Sequence, residues 1–214
     1  MSEKTGDVVY TPDWAARDMV EHFRPVGRIL DPCRGLGAFT DHIPGAEWCE
    51  ITEGRDFFDW HEPVDWVISN PPYSLTRPWF RHSYTVARYL CYLVPLRNVF
   101  SGYGFLREIH EFGGIREIRT YGTGGRLGFP MGNAVGAFHI ERGYSGPTEF
   151  TFYDANEDME RGRWGVEFAT EVVEHLEAAA RADGLVTTPA HSAERAPVTE
   201  DARLQSDDKA GSAS

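Results

Sequence analysis

The stretch Ile29-Leu-Asp-Pro-Cys-Arg-Gly-Leu-Gly-Ala-Phe39 decides how the fold is interpreted. It begins as a short apolar strand, predicted over residues 28–31, which ends in Asp31 and continues into a turn that contains Gly35 and Gly37. Glycine lets the backbone approach a ligand closely, and ligands of open α/β sheets usually bind at the carboxyl ends of the strands. Tight turns between a strand and a helix also favour glycine, so this pattern alone indicates either a ligand site or a plain turn.

A second carboxylate follows at the end of the next predicted strand, residues 47–51. Glu50 comes about 19 residues after Asp31, and this spacing suits a carboxylate that binds ribose hydroxyls. Glu53 is a rival for the same role, because strand ends are placed from sequence only to within a residue or more. The turn reads GxG instead of the GxGxxG of pyrophosphate sites, so a ligand without a pyrophosphate is indicated.

Apolar runs along the rest of the chain predict an α/β fold. Further strands are predicted at residues 64–69, 89–95, 115–121, 134–140 and 149–153, mostly as continuous apolar runs typical of strands buried on both faces. Helices are predicted from Thr11, with Thr11 as the cap and Pro12 at the first helical position, and within residues 75–88 and 98–112. The expected architecture is a mostly parallel seven-stranded sheet with flanking helices.

Composition divides the chain into residues 1–183 and 184–214. Near the end of the first part, an amphipathic helix with an acidic, solvated face is predicted from Val166 to about Ala182. After residue 184 the chain is rich in small and acidic residues and almost lacks large apolar ones. We therefore expect one folded domain over residues 1–183, followed by a disordered acidic tail.

The second decisive stretch is Val67-Ile-Ser-Asn-Pro-Pro-Tyr73. An apolar strand stops at Asn70, because two prolines prevent its continuation and fix an extended turn. Such a turn is expected to hold the Asn70 amide oxygen and the Pro71 carbonyl as two acceptors beside an exposed ring, that of Tyr73. This arrangement suits an amino group carried by a flat ring. The two acceptors would bind the amino hydrogens, and the tyrosine ring would stack on the flat ring. The alternative is a rigid turn with an incidental tyrosine.

Together, these motifs resemble those of S-adenosylmethionine-dependent methyltransferases, specifically the adenine-N6 DNA methyltransferases whose hallmark is Asn-Pro-Pro-Tyr. The stretch from Asp31 to Phe39 looks like their cofactor motif, and Tyr10-Thr11-Pro12 is similar to the N-terminal motif of members that place this element first. The resemblance covers residues 10 to about 142 and implies a Rossmann-like class I methyltransferase fold. Larger relatives carry a separate target-recognition domain.

The resemblance implies a role for each matched residue. The cofactor S-adenosylmethionine would be bound by Thr11, Asp31, Gly35, Gly37, Glu50, Asp56 and Phe57. Of these, Glu50 would bind the ribose, and Asp56 with Phe57 would bind the adenine. The catalytic motif would be Asn70, Pro71, Pro72 and Tyr73. Because a base inside duplex DNA cannot reach such a site, the target adenine would be flipped out and stacked on Tyr73.

Charge is distributed unevenly along the chain. The net charge is −12, which by itself argues against a nucleic-acid partner, yet residues 74–133 carry eight arginines and only three acids. From this basic segment we predict Arg77, Arg81 and Arg126 as nucleic-acid contacts. Phe129, in the Gly-rich run 121–132, is predicted to close on the target base, although a plain hairpin loop explains that run equally well. DNA is the expected partner.

Acid-rich, lysine-poor composition also points to the environment. Only two lysines occur in the chain, and dense carboxylates suit a cytoplasm of very high salt, so we expect a haloarchaeal or viral source. GC-rich coding bias explains the lysine shortage but explains the acidity less well. No apolar stretch long enough to span a membrane is seen, and no cysteine or histidine spacing indicates a metal site. The expected location is the cytoplasm, or the host cytoplasm for a viral protein.

The same motif also occurs in RNA adenine methyltransferases and in protein glutamine methyltransferases, so methylation of those substrates stays open. A non-catalytic DNA-binding or virion protein on the same fold is the alternative from a different class. The intact cofactor and catalytic motifs argue against that alternative.

Overall fold

The computed structural model describes residues 9–154, which form a mixed α/β structure around one sheet. Its helices are α1 (Asp13–Phe23), α2 (Thr76–Val86), α3 (Leu96–Phe100) and α4 (Tyr103–Phe112). Its strands are β1 (Ile29–Asp31), β2 (Glu47–Trp48), β3 (Val64–Ser69), β4 (Ala87–Pro95), β5 (Gly113–Thr123), β6 (Ala134–Arg142) and β7 (Glu149–Phe152). The helix predicted from Val166 and the predicted tail lie outside the described residues.

The seven strands form one sheet in the order β2-β1-β3-β4-β6-β5-β7. Strand β6 runs antiparallel to both of its neighbours, and the other described strands run in one common direction. The predicted mostly parallel seven-stranded sheet is therefore confirmed. Because β1 and β3 are parallel neighbours, with Ile29 opposite Trp66, the residues that follow them emerge at the same edge of the sheet.

The two faces of the sheet are covered by different helices. On one face, Phe80 of α2 packs against Tyr92 of β4, with ring centroids 5.1 Å apart, and against Phe105 of α4. On the other face, Asp18 of α1 accepts a hydrogen bond from Arg119 of β5 at 2.7 Å. Strands β3 and β4 lie in the middle of the sheet and are almost entirely buried, which explains why their sequences are continuous apolar runs.

Three local predictions need correction. Helix α1 begins one residue later than Pro12, which adopts the extended cap conformation, and no side chain caps the helix, so the predicted capping role of Thr11 is wrong. Strand β2 is shorter than the predicted 47–51, because residues 51–53 turn into a 3₁₀ helix. The region 98–112 contains two helices instead of one, because Gly102 is fully extended between them.

Candidate active site

A hydrogen bond joins the ends of β1 and β3, the two strands that carry the cofactor and catalytic motifs. The Ser69 hydroxyl donates to Asp31 Oδ1 at 2.6 Å, and both side chains are completely buried. The same carboxylate oxygen accepts the backbone N–H of Cys33 at 3.1 Å, at the start of the glycine turn. The two motifs found in the sequence therefore meet at Asp31.

The second oxygen of Asp31 is available to a ligand. Oδ2 is buried and has no hydrogen-bond partner among residues 9–154. Burial raises the pKa of Asp31 to about 7, against the lowering effect of the bonds from Ser69 and Cys33. A buried carboxylate with an open oxygen is costly unless a partner is supplied, and a cationic or N–H-bearing ligand group would be such a partner.

The glycine turn is held from the side by Glu50. Its Oε2 accepts the backbone N–H of Gly35 at 2.9 Å, while Oε1 accepts from the backbone and hydroxyl of Thr52. Burial tends to raise the pKa of Glu50, but these bonds outweigh it and hold the pKa below its usual value. Glu50 therefore stays ionised at neutral pH beside the turn.

Both predicted glycines need a conformation that other residues rarely adopt. Gly35 has φ +53° and Gly37 has φ +98°. A Cβ atom on Gly35 would lie 3.5 Å from the ring of Tyr10, which therefore packs on the turn while staying about half exposed. This contact places the N-terminal segment that includes Thr11 on the same side of the site.

The remaining predicted cofactor residues have different surroundings. Glu53, the rival of Glu50, forms an ion pair with the side chain of Arg34 at 3.2 Å, whereas Glu50 accepts the backbone N–H of Gly35. Asp56 caps the 3₁₀ helix that follows, since its Oδ1 accepts the N–H of Phe58 at 2.9 Å.

The two phenylalanines that follow Asp56 differ in burial. Phe57 is only 1% exposed and packs on Trp79, whereas Phe58 is 36% exposed. Phe57 therefore belongs to the core, and its stacking on the adenine of a cofactor stays a prediction.

The side chain of Asn70 is fixed in one orientation. Its Nδ2 donates to the backbone carbonyl of Val9 at 3.1 Å, and because a carbonyl can only accept, the amide nitrogen must face Val9. Oδ1 consequently points the other way, where it is buried and has no partner among residues 9–154. An oriented, unpaired acceptor at the end of β3 is what the sequence predicted for Asn70.

The turn after Asn70 is held by a second asparagine. Nδ2 of Asn98, on α3, donates to the backbone carbonyl of Tyr73 at 3.0 Å and lies 3.0 Å from Thr76 Oγ1, which itself donates to that carbonyl. Pro71 is buried and Pro72 half-buried. The ring of Tyr73 is half-buried, in place of the exposed ring expected from sequence, and lies edge-on to Phe129 at 6.4 Å.

Phe129 belongs to the loop that joins β5 to β6. The loop contains a 3₁₀ helix, Gly124–Leu127, and the N–H of Phe129 donates to the Gly124 carbonyl at 2.9 Å. Phe129 is buried, which fits the hairpin-loop alternative, but its contact with Tyr73 still places it beside the catalytic turn. Arg126 is exposed in the same loop, with its side chain over Gly122.

Arg77 and Arg81 are not independent cations. Both donate from α2 to one carboxylate on α4, Glu108, in bonds that include Arg81 Nε to Oε2 at 2.9 Å. These bonds lower the pKa of Glu108 to about 2. We call these three residues the arginine clamp. Its arginines remain about half exposed, so the clamp presents a net single positive charge to solvent.

Within residues 9–154, histidine, cysteine, aspartate and glutamate side chains nowhere gather in a group that could hold a metal ion. In the same part of the chain, every helix is too short or too polar to cross a membrane.

Sequence reasoning assigned no individual role to Tyr10, Ser69 or Asn98. Tyr10 and Ser69 lie within two of the quoted motif stretches, so their positions in the chain were a usable signal. Asn98 lies 25 residues after Tyr73, and nothing in the sequence connects it to the catalytic turn; only the pairing of β3 with β4 brings it there.

Comparison with solved structures shows which known fold the chain has. No model of a known protein family matches the chain, and no curated protein sequence does. Among solved structures, a putative class I S-adenosylmethionine-dependent methyltransferase (lmo1582) from Listeria monocytogenes is similar, with a TM-score of 0.53 and 12% identity over 82% of this chain and 73% of that chain.

Two similar structures come from restriction systems. One is from a study of complex assembly in the type I R-M system (TM-score 0.52, 15% identity, 82% of this chain and 52% of that one). The other is a modification subunit of a putative type I restriction enzyme from Vibrio vulnificus YJ016 (TM-score 0.50, 14% identity, 76% and 53%). The matches span about half the length of these two chains. The protein has the Rossmann-like fold of class I S-adenosylmethionine-dependent methyltransferases.

Proposed function

We propose that the protein transfers a methyl group from S-adenosylmethionine to the exocyclic N6 amino group of adenine in DNA. The observation that carries the proposal is the buried Asn70 Oδ1, oriented by Val9 and unpaired among residues 9–154, three residues before Tyr73 in the Asn-Pro-Pro-Tyr turn. A buried acceptor without a partner costs free energy, so its presence is best explained by a donor that arrives with the substrate.

The residues around Asp31 fit the cofactor. The open Oδ2 of Asp31 suits an N–H donor of the methionine part, and the positive φ angles of Gly35 and Gly37 shape the turn that follows it. Glu50, ionised beside them, suits hydroxyl donors such as those of a ribose. When bound, S-adenosylmethionine supplies a methyl group on a positively charged sulfur, which is a good leaving group.

The chain's own residues would activate the amine. The lone pair of an aromatic amine is spread into its ring, which makes the nitrogen a poor nucleophile. Asn70 Oδ1 and the Pro71 carbonyl would accept the two amino hydrogens, which favours a tetrahedral nitrogen with a localised lone pair. Tyr73 would stack on the base and hold it in that position, with Asn98 holding the backbone of Tyr73. Catalysis would rest on positioning and on fixed dipoles.

The basic surface next to the motif supports a nucleic acid as the substrate. Between Asp65 and Glu108 the chain has no acidic residue and five arginines, although the whole chain carries −12. Four of the five lie on the helices that follow the motif: Arg77, Arg81, Arg97 and Arg107. The fifth, Arg88, pairs with Glu141 at the other end of β4. Phosphate groups are attracted to such a surface, whereas the glutamine side chain of a protein substrate is uncharged and would gain no comparable electrostatic attraction.

Transfer of a radiolabelled methyl group tests the proposal. We expect the purified chain in concentrated salt to label unmethylated DNA and to yield N6-methyladenine after digestion to nucleosides. Asn70→Ala should lower the rate by at least about 10²-fold, while S-adenosylmethionine still binds. Asn133→Ala, which removes a similar amide from the β5–β6 loop, is the matched control and should stay active. Label in RNA or protein but not in DNA would contradict the proposal.

A further inference from the structure

Three apolar side chains stand exposed around the catalytic turn. Leu75 lies in the 3₁₀ helix that contains Tyr73 and is 39% exposed, Phe100 at the end of α3 is 47% exposed, and Tyr103 at the start of α4 is 89% exposed. We call these three residues the rim patch. They contrast with rings on the same helices, such as Phe80 of α2 and Phe105 of α4, which are buried in the core.

Contacts on both sides connect the rim patch to the catalytic turn. Asn98, two residues before Phe100, is hydrogen-bonded to the carbonyl of Tyr73 at 3.0 Å. Gly104, directly after Tyr103, faces the Arg77 guanidinium, which would lie 3.4 Å from a Cβ atom at that position. The rim patch therefore borders the turn and the arginine clamp.

Positive charge surrounds these apolar groups. Arg97 and Arg107 are exposed on α3 and α4, close in sequence to Phe100 and Tyr103, and the clamp adds its single net charge. Glu108 of the clamp is the first carboxylate after Asp65. Even with Glu108 and Glu111 counted, the four arginines of these helices leave an excess of positive charge, which suits a partner that has both flat apolar faces and negative charge.

We propose that the rim patch binds an unpaired stretch of the DNA strand that flanks the target adenine, with Tyr103 stacking on one of its bases. The inference rests on the proposed function and deepens it, since it names a single strand as the form of substrate that this surface takes. Stacking on exposed rings combined with arginine contacts to phosphates is how proteins bind single strands. In a duplex the base faces are covered by their neighbours, so Tyr103 would have no face to contact.

Binding of a fluorescein-labelled 20-nucleotide DNA of mixed sequence, followed by anisotropy, tests the inference on the full chain. The wild type should bind the single strand more tightly than the same sequence as a duplex. Tyr103→Ala should weaken single-strand binding about tenfold, the effect of losing one base–aromatic stack. Tyr103→Phe should bind like the wild type, because it keeps the ring. Tyr103 is almost fully exposed, so its replacement should leave the fold intact.

Control variants separate base stacking from electrostatic attraction to phosphates and from nonspecific binding to any exposed ring. Phe152 is 67% exposed on β7, at one edge of the sheet, and Phe152→Ala should leave DNA binding unchanged. Arg97→Gln and Arg107→Gln should each reduce the slope of log affinity against log salt by about 0.7, whereas Tyr103→Ala should leave that slope unchanged.

The outcomes distinguish this inference from the proposed function. If the wild type methylates DNA but Tyr103→Ala binds the single strand within twofold of the wild type, the rim patch has no stacking role and the proposed function stands. Tighter binding of the duplex than of the single strand would also overturn the inference. If the wild type neither binds DNA nor labels it, both proposals fail.

Discussion

The open carboxylate oxygen of Asp31 predicts that the affinity for S-adenosylmethionine depends on pH. Burial raises the pKa of Asp31 to about 7 in the ligand-free protein, so the carboxylate loses its charge as the pH falls through neutrality. The ammonium group of the ligand's methionine part prefers the charged carboxylate. Affinity should therefore rise with pH up to about 7 and level off above it.

The size of the effect follows from the pKa. Each pH unit below about 7 lowers the ionised fraction about tenfold, so at pH 5.5 the affinity should be roughly 30-fold below its plateau. The pKa of Glu50 is lowered and that of buried His139 is about 4, so neither group changes charge within this range.

Calorimetric titration with S-adenosylmethionine between pH 5.5 and 7.5 measures this dependence. Asp31→Asn is the matched variant, because it keeps an acceptor for the bonds from Ser69 and Cys33 but cannot ionise. It should bind weakly at every pH, close to the low-pH limit of the wild type. A flat wild-type profile, or a slope that persists in Asp31→Asn, would refute the reasoning.

The raised pKa has the opposite consequence for stability. Between the unfolded value of 3.8 and about 7, the native state binds more protons at Asp31 than the unfolded state does. The contribution of this group to the free energy of unfolding must therefore fall as the pH rises, by up to about 1.4 kcal/mol per unit. Urea titrations of wild type and Asp31→Asn at pH 5 and pH 7 would show the difference, and a rise with pH would contradict it.

Three further variants probe other parts of the structure. Asn98→Ala should lower kcat by about 10–100-fold with little change in the affinity for S-adenosylmethionine, because the backbone of Tyr73 loses its hydrogen bond; an unchanged kcat would contradict a positioning role. Glu108→Gln should tighten DNA binding and steepen its salt dependence, since both arginines of the clamp lose their anionic partner, and equal binding to the wild type would show that the clamp does not meet DNA. Phe138→Ala should lower the free energy of unfolding by about 3–5 kcal/mol, because the ring is fully buried in the core, and a urea titration that gave less than 1 kcal/mol would contradict its place there.

The sequence was most informative where chemistry and chain connectivity coincide. Strand β3 was predicted with its observed bounds, Val64–Ser69, because its apolar run marks a buried strand and the two prolines after Asn70 prevent the strand from continuing. Glu50 was separated from Glu53 only by the structure, which places Glu50 on the N–H of Gly35. The net charge of −12 describes the chain as a whole and hides one basic stretch, because residues 74–133 carry eight arginines against only three acidic residues.

Other features could not be read from the chain because they depend on side chains far apart in sequence. Whether Phe57 or Phe58 lies in the core depends on the orientation of a single 3₁₀ turn, which has no strong periodic signal. Arg77 and Arg81 look like independent phosphate contacts until α4 brings Glu108 between them, 27 residues after Arg81. Tertiary pairing changes what these residues can do without changing their identity.

The bond from Asn70 to the carbonyl of Val9 has a consequence for how this site tolerates change. Every amino acid presents the same carbonyl, so a substitution at Val9 would keep the bond, and a scan of point variants would report this position as unimportant. A shift of the backbone there would instead let the Asn70 amide rotate and exchange its acceptor for a donor. The orientation of the Asn70 amide thus depends on the path of the N-terminal segment, and the contact of the Tyr10 ring with the Gly35 turn is one of the features that fix that path.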